Sequence, residues 1–175
     1  VYEDFKKYID LISFGEKNIL TKGAPSYFAI TSGTTSGTKY IPLTNEMMNT
    51  QTKATKELLL LYAYQRGYYN IAGAGMMFIQ GSPKLNYFNK VPYGKLSGIA
   101  AHHVPFYLKK NRFPSMKTNC IKPWDEKIKM IVKETLNKDL RILGGIPPWV
   151  MTYFKEVLSR TGANTIKEVF PNLQL

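Results

Sequence analysis

Apolar residues recur at helical spacing through Tyr2, Phe5, Tyr8, Ile9 and Ile12, and the pattern stops near Gly15, a residue suited to closing a helix. A short amphipathic helix is predicted there. Residues 27 to 31 and 39 to 43 are instead rich in aromatic and β-branched side chains, which predicts two strands. Thr44 is a good N-cap, with Glu46 in the positive first turn behind it, so a long helix is predicted from there to about Arg66. Met47, Ala54, Leu58 and Leu61 fall on one face, and Gly67 ends it. "MMFIQG" at 76–81 is a continuous apolar run bounded by glycine, as expected of a strand covered on both faces.

The interval 82–122 is turn-rich, with "GKLSGI" as its one candidate strand. Helical periodicity returns over 124–136 through Trp124, Ile128, Ile131, Val132, Thr135 and Leu136. "LRIL" predicts a brief strand that "GGIPPW" breaks, with Trp149 packing beneath the turn. Pro147 and Pro148 then suit a first helical turn, and Val150, Met151, Phe154, Val157 and Leu158 share a face up to Gly162. Thr165 and Glu168 match a capping box. Strands alternating with helices predict an α/β fold in which a Gly/Ser/Thr loop joins two strands. Residues 173–175 are expected to open a further strand, which makes residues 1–175 a single, incomplete domain of a longer protein.

Composition narrows the class. With 44% hydrophobic and 21% charged residues, the chain has the make-up of a soluble globular domain rather than a disordered one. No apolar run is long enough to predict a membrane helix, and no signal-peptide pattern opens the sequence. Cys120 is the single cysteine, so neither an internal disulfide nor a thiolate metal cluster is expected, and a cytoplasmic setting fits. The net charge is +12 and unevenly spread: between Glu57 and Asp125 there is no acidic residue, only basic ones such as Lys84, Lys95, Lys110 and Lys117. That interval is either a solvated lysine surface or a field for an anion, a nucleic acid or an acidic partner. No nucleic-acid motif accompanies it. His102 and His103 are adjacent without a neighbouring carboxylate or cysteine, and in an extended chain they would face opposite ways, so no metal site is assigned to them.

The candidate chemistry lies in "FAITSGTTSGTKYIPLT" at 28–44. Behind Thr31 come seven Gly, Ser and Thr residues, then Lys39. Gly33 and Gly37 permit tight turns and close approach of phosphate oxygens. The hydroxyls of Ser32, Thr34, Thr35, Ser36 and Thr38 supply donors, and Lys39 supplies charge. The spacing does not match a Walker A loop, and a strand rather than a helix follows. By composition the segment is either a plain hairpin connection or a phosphate site.

The residue order from Thr31 to Lys39 resembles the phosphate-loop signature of the adenylate-forming superfamily, which includes firefly luciferase and acyl-CoA synthetases. Ser36 stands where a second glycine is usual and Thr38 where proline is usual. Together with "YEDFKKYIDLISFGEKNIL", "GKLSGI" and "LGGIPPWVMTYFKEVL", the chain resembles the auxin-responsive Gretchen Hagen family of acyl-acid amido synthetases in its bacterial form. The resemblance implies part of a large N-terminal domain, with ATP and Mg2+ as cofactors. It also implies a carboxylic acid and an amine or amino acid as partners. By that resemblance Thr31 to Thr38 form the nucleotide loop, with Ser32, Gly33, Thr34 and Thr35 cradling the phosphates. Lys39 either steadies the leaving pyrophosphate or is a solvated edge lysine. Leu58, Leu61, Tyr62 and Gln65 either line the acyl pocket or pack in the core, and Ser97 lies near the acyl acid. The family's later motifs have no counterpart in this sequence, so the chain alone is expected to be inactive. A non-catalytic nucleotide- or nucleic-acid-binding module is the alternative.

Overall fold

The structure, a computed structural model, describes residues 1–31, 37–67 and 73–173. It has a mixed α/β fold. The first half runs α1 (Tyr2–Ser13), β1 (Tyr27–Thr31), β2 (Lys39–Leu43), α2 (Asn45–Arg66), β3 (Gly75–Ile79), β4 (Asn86–Phe88), β5 (Val91–Lys95) and α3 (Leu96–His102). It continues through α4 (Phe106–Lys109), β6 (Arg112–Phe113), α5 (Met116–Asn119), α6 (Trp124–Thr135), β7 (Leu140–Gly145), α7 (Pro147–Thr161) and α8 (Ile166–Val169). Contacts gather these into two compact units, Val1–Leu59 with Pro83–His103, and Leu60–Ser82 with Val104–Leu175.

The first unit is built on a four-stranded sheet of order β2-β1-β5-β4. β1 pairs antiparallel with β2, Thr31 opposite Lys39, and parallel with β5, Ile30 opposite Lys95. Because side chains alternate along a strand, the sheet has two different faces. Phe28 and Val91 pack with Ile9 and Ile12 of α1 on one face. Ala29 and Leu43 pack with Met48 of α2 and Ile99 of α3 on the other. Thr44 caps α2 as expected, its Oγ1 accepting from the Met47 amide at 3.2 Å. The β4–β5 hairpin turns through Asn89 at φ +51°, a left-handed conformation that asparagine tolerates.

The second unit holds a parallel sheet of order β6-β3-β7. Met77, Ile79 and Leu140 of that sheet form one core with Ile128, Ile131 and Val132 of α6, Tyr153 and Val157 of α7, and Phe170. The buried apolar run at β3 is as the sequence predicts. β7, however, continues through Gly144 and Gly145 instead of breaking at them. A Cβ on Gly145 would lie 3.1 Å from the Ile79 carbonyl oxygen and 3.1 Å from Val150 Cγ2, so the strand can stay beside β3 only without a side chain there. Pro147 and Pro148 occupy the first turn of α7, and Gly162 closes it at φ +72°. Thr165 Oγ1 accepts from the Glu168 amide at 3.4 Å, completing the predicted cap of α8.

Three further expectations need correction. Of the α2 face predicted from Met47, Ala54, Leu58 and Leu61, none is buried; Met48 is the buried residue, while Leu58 and Leu61 are 66% and 53% exposed. Spacing identifies residues that share a face, but only a neighbouring element decides whether that face is covered. "GKLSGI" is not a strand of its own: Gly94 and Lys95 finish β5, and Leu96 to Ile99 open α3. His102 and His103 accordingly lie at a helix C-terminus rather than in extended chain, with His102 Nε2 2.8 Å from the Pro83 carbonyl oxygen and the His103 ring edge-on to Tyr27 at 5.5 Å. The expected terminal strand falls partly on Gln174 and Leu175, outside the described residues.

Candidate functional site

The loop after β1 leaves one end of the first unit's sheet. β1 and β2 hold its two ends in antiparallel register as far as the Thr31–Lys39 pair, so its entry and exit are fixed strand termini. Ser32, Gly33, Thr34, Thr35 and Ser36 lie outside the described residues. Gly37 takes φ +74°, a left-handed conformation open to glycine, with no atom of the described residues within 4 Å of where a Cβ would stand. Thr31 and Thr38 are exposed, and Lys39 is half-buried at the start of β2.

Two residues beside the strands that flank this loop were not legible in the sequence. Lys95 belongs to the basic interval, and nothing in its local context marks it. The parallel pairing of Ile30 with Lys95 brings the end of β5 beside the end of β1, so lysines flank the loop's first strand on both sides. Tyr2 is the other. Its hydroxyl accepts from the Tyr40 amide at 2.6 Å and donates to the Tyr40 carbonyl at 3.3 Å, and Lys39 Nζ lies 5.7 Å from the centre of its ring. The Tyr40 ring packs among Phe28, Phe88 and Tyr93 at 4.7–5.8 Å. Burial, reinforced by Tyr93 and Tyr2, pushes the Tyr40 phenol above its ordinary value.

Ser97 sits in the first turn of α3, exposed, two residues beyond the Lys95 that pairs with Ile30. It therefore belongs to the same end of the sheet as Thr31, Gly37, Thr38 and Lys39. Leu58, Leu61 and half-buried Tyr62 lie on the C-terminal half of α2, where Leu58 falls in the first unit and Leu61 and Tyr62 in the second. Gln65 is exposed on the same helix.

The described residues at the sheet end offer hydroxyls, a left-handed glycine and ammonium groups. That donor set suits phosphate oxygens and lacks a carboxylate to serve as general base. Among the described residues, no group of at least three His, Cys, Asp or Glu side chains stands together as a metal site. No helix among them is long and apolar enough to cross a membrane.

A family model described as the GH3 family N-terminal domain matches residues 1–123. No curated protein sequence matches the chain. Among solved structures, the fold is similar to "AtGH3.15 acyl acid amido synthetase in complex with 2,4-DB", with a TM-score of 0.66 and 17% identity. The match covers 96% of this chain and 31% of that one, so the chain spans about a third of the solved chain's length. Identity this low speaks for the fold alone. With residues 1–123 of 175 inside the family model, the chain belongs to the GH3 family.

Proposed function

We propose that this chain carries the phosphate loop of an ATP-dependent acyl-acid amido synthetase. The observation that carries the proposal is the Thr31-to-Lys39 sequence set between paired antiparallel strands, with Gly37 left-handed and lysines on both sides of β1. ATP, when bound, supplies the activated phosphorus and a pyrophosphate leaving group. Backbone amides and hydroxyls of Ser32, Gly33, Thr34 and Thr35 cradle its phosphates, with Thr31, Ser36, Gly37 and Thr38 completing the loop.

In the first step a carboxylate oxygen of the acid attacks the α-phosphorus, and the bond to pyrophosphate breaks. In the second, an amine or amino acid attacks the acyl carbon, AMP leaves, and the nitrogen loses a proton to give the amide. Negative charge accumulates on phosphate oxygens in the first step, so preorganised donors and the Lys39 ammonium serve it better than a base. Mg2+, when bound, would supply further positive charge at the phosphates. Leu58, Leu61 and Tyr62 line the acyl pocket, and the exposure of the leucines supports a role outside the core. Ser97 stands near the acid. The activity belongs to a longer, cytoplasmic protein of the bacterial-type branch, and the 175-residue chain by itself turns over no acid.

The test is Ser32→Ala combined with Thr34→Ala in the full-length protein, followed by acid-dependent pyrophosphate release. Losing two hydroxyl donors is expected to lower kcat/KM for ATP by about tenfold or more. Unchanged kinetics would return the loop to an ordinary hairpin connection.

A further inference from the structure

Helix α1 lies across the whole sheet of the first unit. Its first residue, Tyr2, bonds to β2 at one edge. Its last, Ser13, meets the β4–β5 turn at the other: Asn89 Nδ2 donates to Ser13 Oγ at 2.7 Å, and the Lys90 amide donates to the Ser13 carbonyl at 3.0 Å. A helix of 12 residues is about 18 Å long, and the four strands it crosses span roughly 14 Å between the outer two. The helix is therefore long enough to be pinned at both ends, with Ile9 and Ile12 buried between the pins.

We propose that Tyr2 is a positioning residue for Lys39 and, through it, for the phosphates of ATP. The inference rests on the phosphate-loop function proposed above. β2 is an edge strand, so the Tyr40 N–H and C=O that do not pair with β1 need a partner. A phenol hydroxyl carries one hydrogen and free lone pairs, and Tyr2 uses it both ways, accepting from one group and donating to the other. The backbone immediately after Lys39 is thereby fixed from outside the hairpin.

The Tyr2 ring adds a second restraint. At 5.7 Å from the ring centre, the Lys39 ammonium is within cation–π range, which favours one direction for a long and otherwise free side chain. Lys39 thus stands where the fixed strand meets the loop, and α1 sets both its backbone and its head group. Because α1 is also held by Ile9, Ile12 and Ser13, removing the Tyr2 hydroxyl leaves the helix docked.

The full-length protein with Tyr2→Phe, Tyr2→Leu and Lys39→Met, alone and combined, is to be assayed for acid-dependent pyrophosphate release. Tyr2→Phe is expected to raise KM for ATP about 3- to 10-fold with KM for the acid unchanged. Tyr2→Leu, which also loses the ring, should raise it further. In a Lys39→Met background Tyr2→Phe should add nothing, because the interaction it serves is gone. Amide hydrogen exchange at Tyr40 should quicken in Tyr2→Phe. If Lys39→Met raises KM for ATP while Tyr2→Phe does not, the positioning role is overturned and the phosphate loop stands. Unchanged exchange at Tyr40, or equal losses in the ATP and acid parameters, would also overturn it. Indifference of KM for ATP to Lys39→Met and to the Ser32/Thr34 pair would remove the phosphate loop and this inference together.

Discussion

The two units keep their structure in different ways. The second unit has a continuous apolar core around a parallel sheet, and its buried Thr135 and Lys127 side chains are paired inside it. Thr135 Oγ1 lies 2.9 Å from Tyr153 Oη and 2.8 Å from the Ile131 carbonyl. The buried Lys127 ammonium donates to the Asn119 and Gln80 carbonyls at 3.0 and 3.2 Å. The first unit instead has two small apolar clusters, one on each face of its sheet. Its clamp helix α1 is tied by individual hydroxyl and amide contacts. Volume governs the one, and direction governs the other. A candidate site on the first unit is thus sensitive to single hydroxyls, whereas the second unit is sensitive to lost methyl groups.

The largest expected effect lies in the second unit. Ile131 is fully buried between helix and sheet, and Ile131→Ala should cost about 2–5 kcal/mol through lost contacts and the cavity left behind. Amide exchange should rise in β3, α6 and α7 while β1, β2 and β5 keep their protection. Equal loss of protection in both units would break the comparison, since it would make them one cooperative block.

Tyr153→Phe tests whether direction matters within the volume-governed unit. Thr135 keeps its bond to the Ile131 carbonyl, so the cost should be about 1 kcal/mol. Burial, opposed only in part by the Thr135 hydrogen bond, holds the Tyr153 phenol far above its ordinary value. A group with a raised folded pKa gives stability that is complete below its unfolded value, near 10, and is lost as pH rises beyond it. Wild type should therefore weaken above about pH 10 in denaturant titrations, and Tyr153→Phe should weaken less. Identical alkaline slopes would mean that the phenol is not buried in the folded protein.

Ser13→Ala carries the smallest expected effect and sharpens the picture of α1. It removes one part-buried hydroxyl that accepts from Asn89 and donates to the Asp10 carbonyl, at a cost of about 0.5 kcal/mol. Exchange at the Lys90 amide should quicken while that at Tyr40 does not. Coupled changes at both ends would show α1 moving as one body rather than as a helix with separate pins.

Most elements could be predicted because their signals are local. Thr44, Gly67, Pro147, Gly162 and the Thr165–Glu168 pair act within one helical turn, and helix ends appear at each. The strands at 27–31 and 39–43 follow from side chains whose shape suits a pleated surface, and the buried β3 follows from an unbroken apolar run. The interval 82–122 resisted because its elements are short: β4, β6, α4 and α5 each have four residues or fewer, too few to show a period. Tyr153 was missed as a core residue because its hydroxyl suggests a surface until Thr135 is placed beside it.

Local signals set the types and most of the ends of the elements outside 82–122, and the loop of hydroxyls and glycines between β1 and β2. Those properties depend on neighbours within a few residues, and the chain order supplies them. Long-range packing brings Lys95 beside the end of β1, sets Tyr2 against β2 and leaves Leu58 and Leu61 uncovered. Each of those facts depends on strand order or helix docking between segments tens of residues apart. No local pattern encodes such a meeting, because its free energy exists only once both partners are in place.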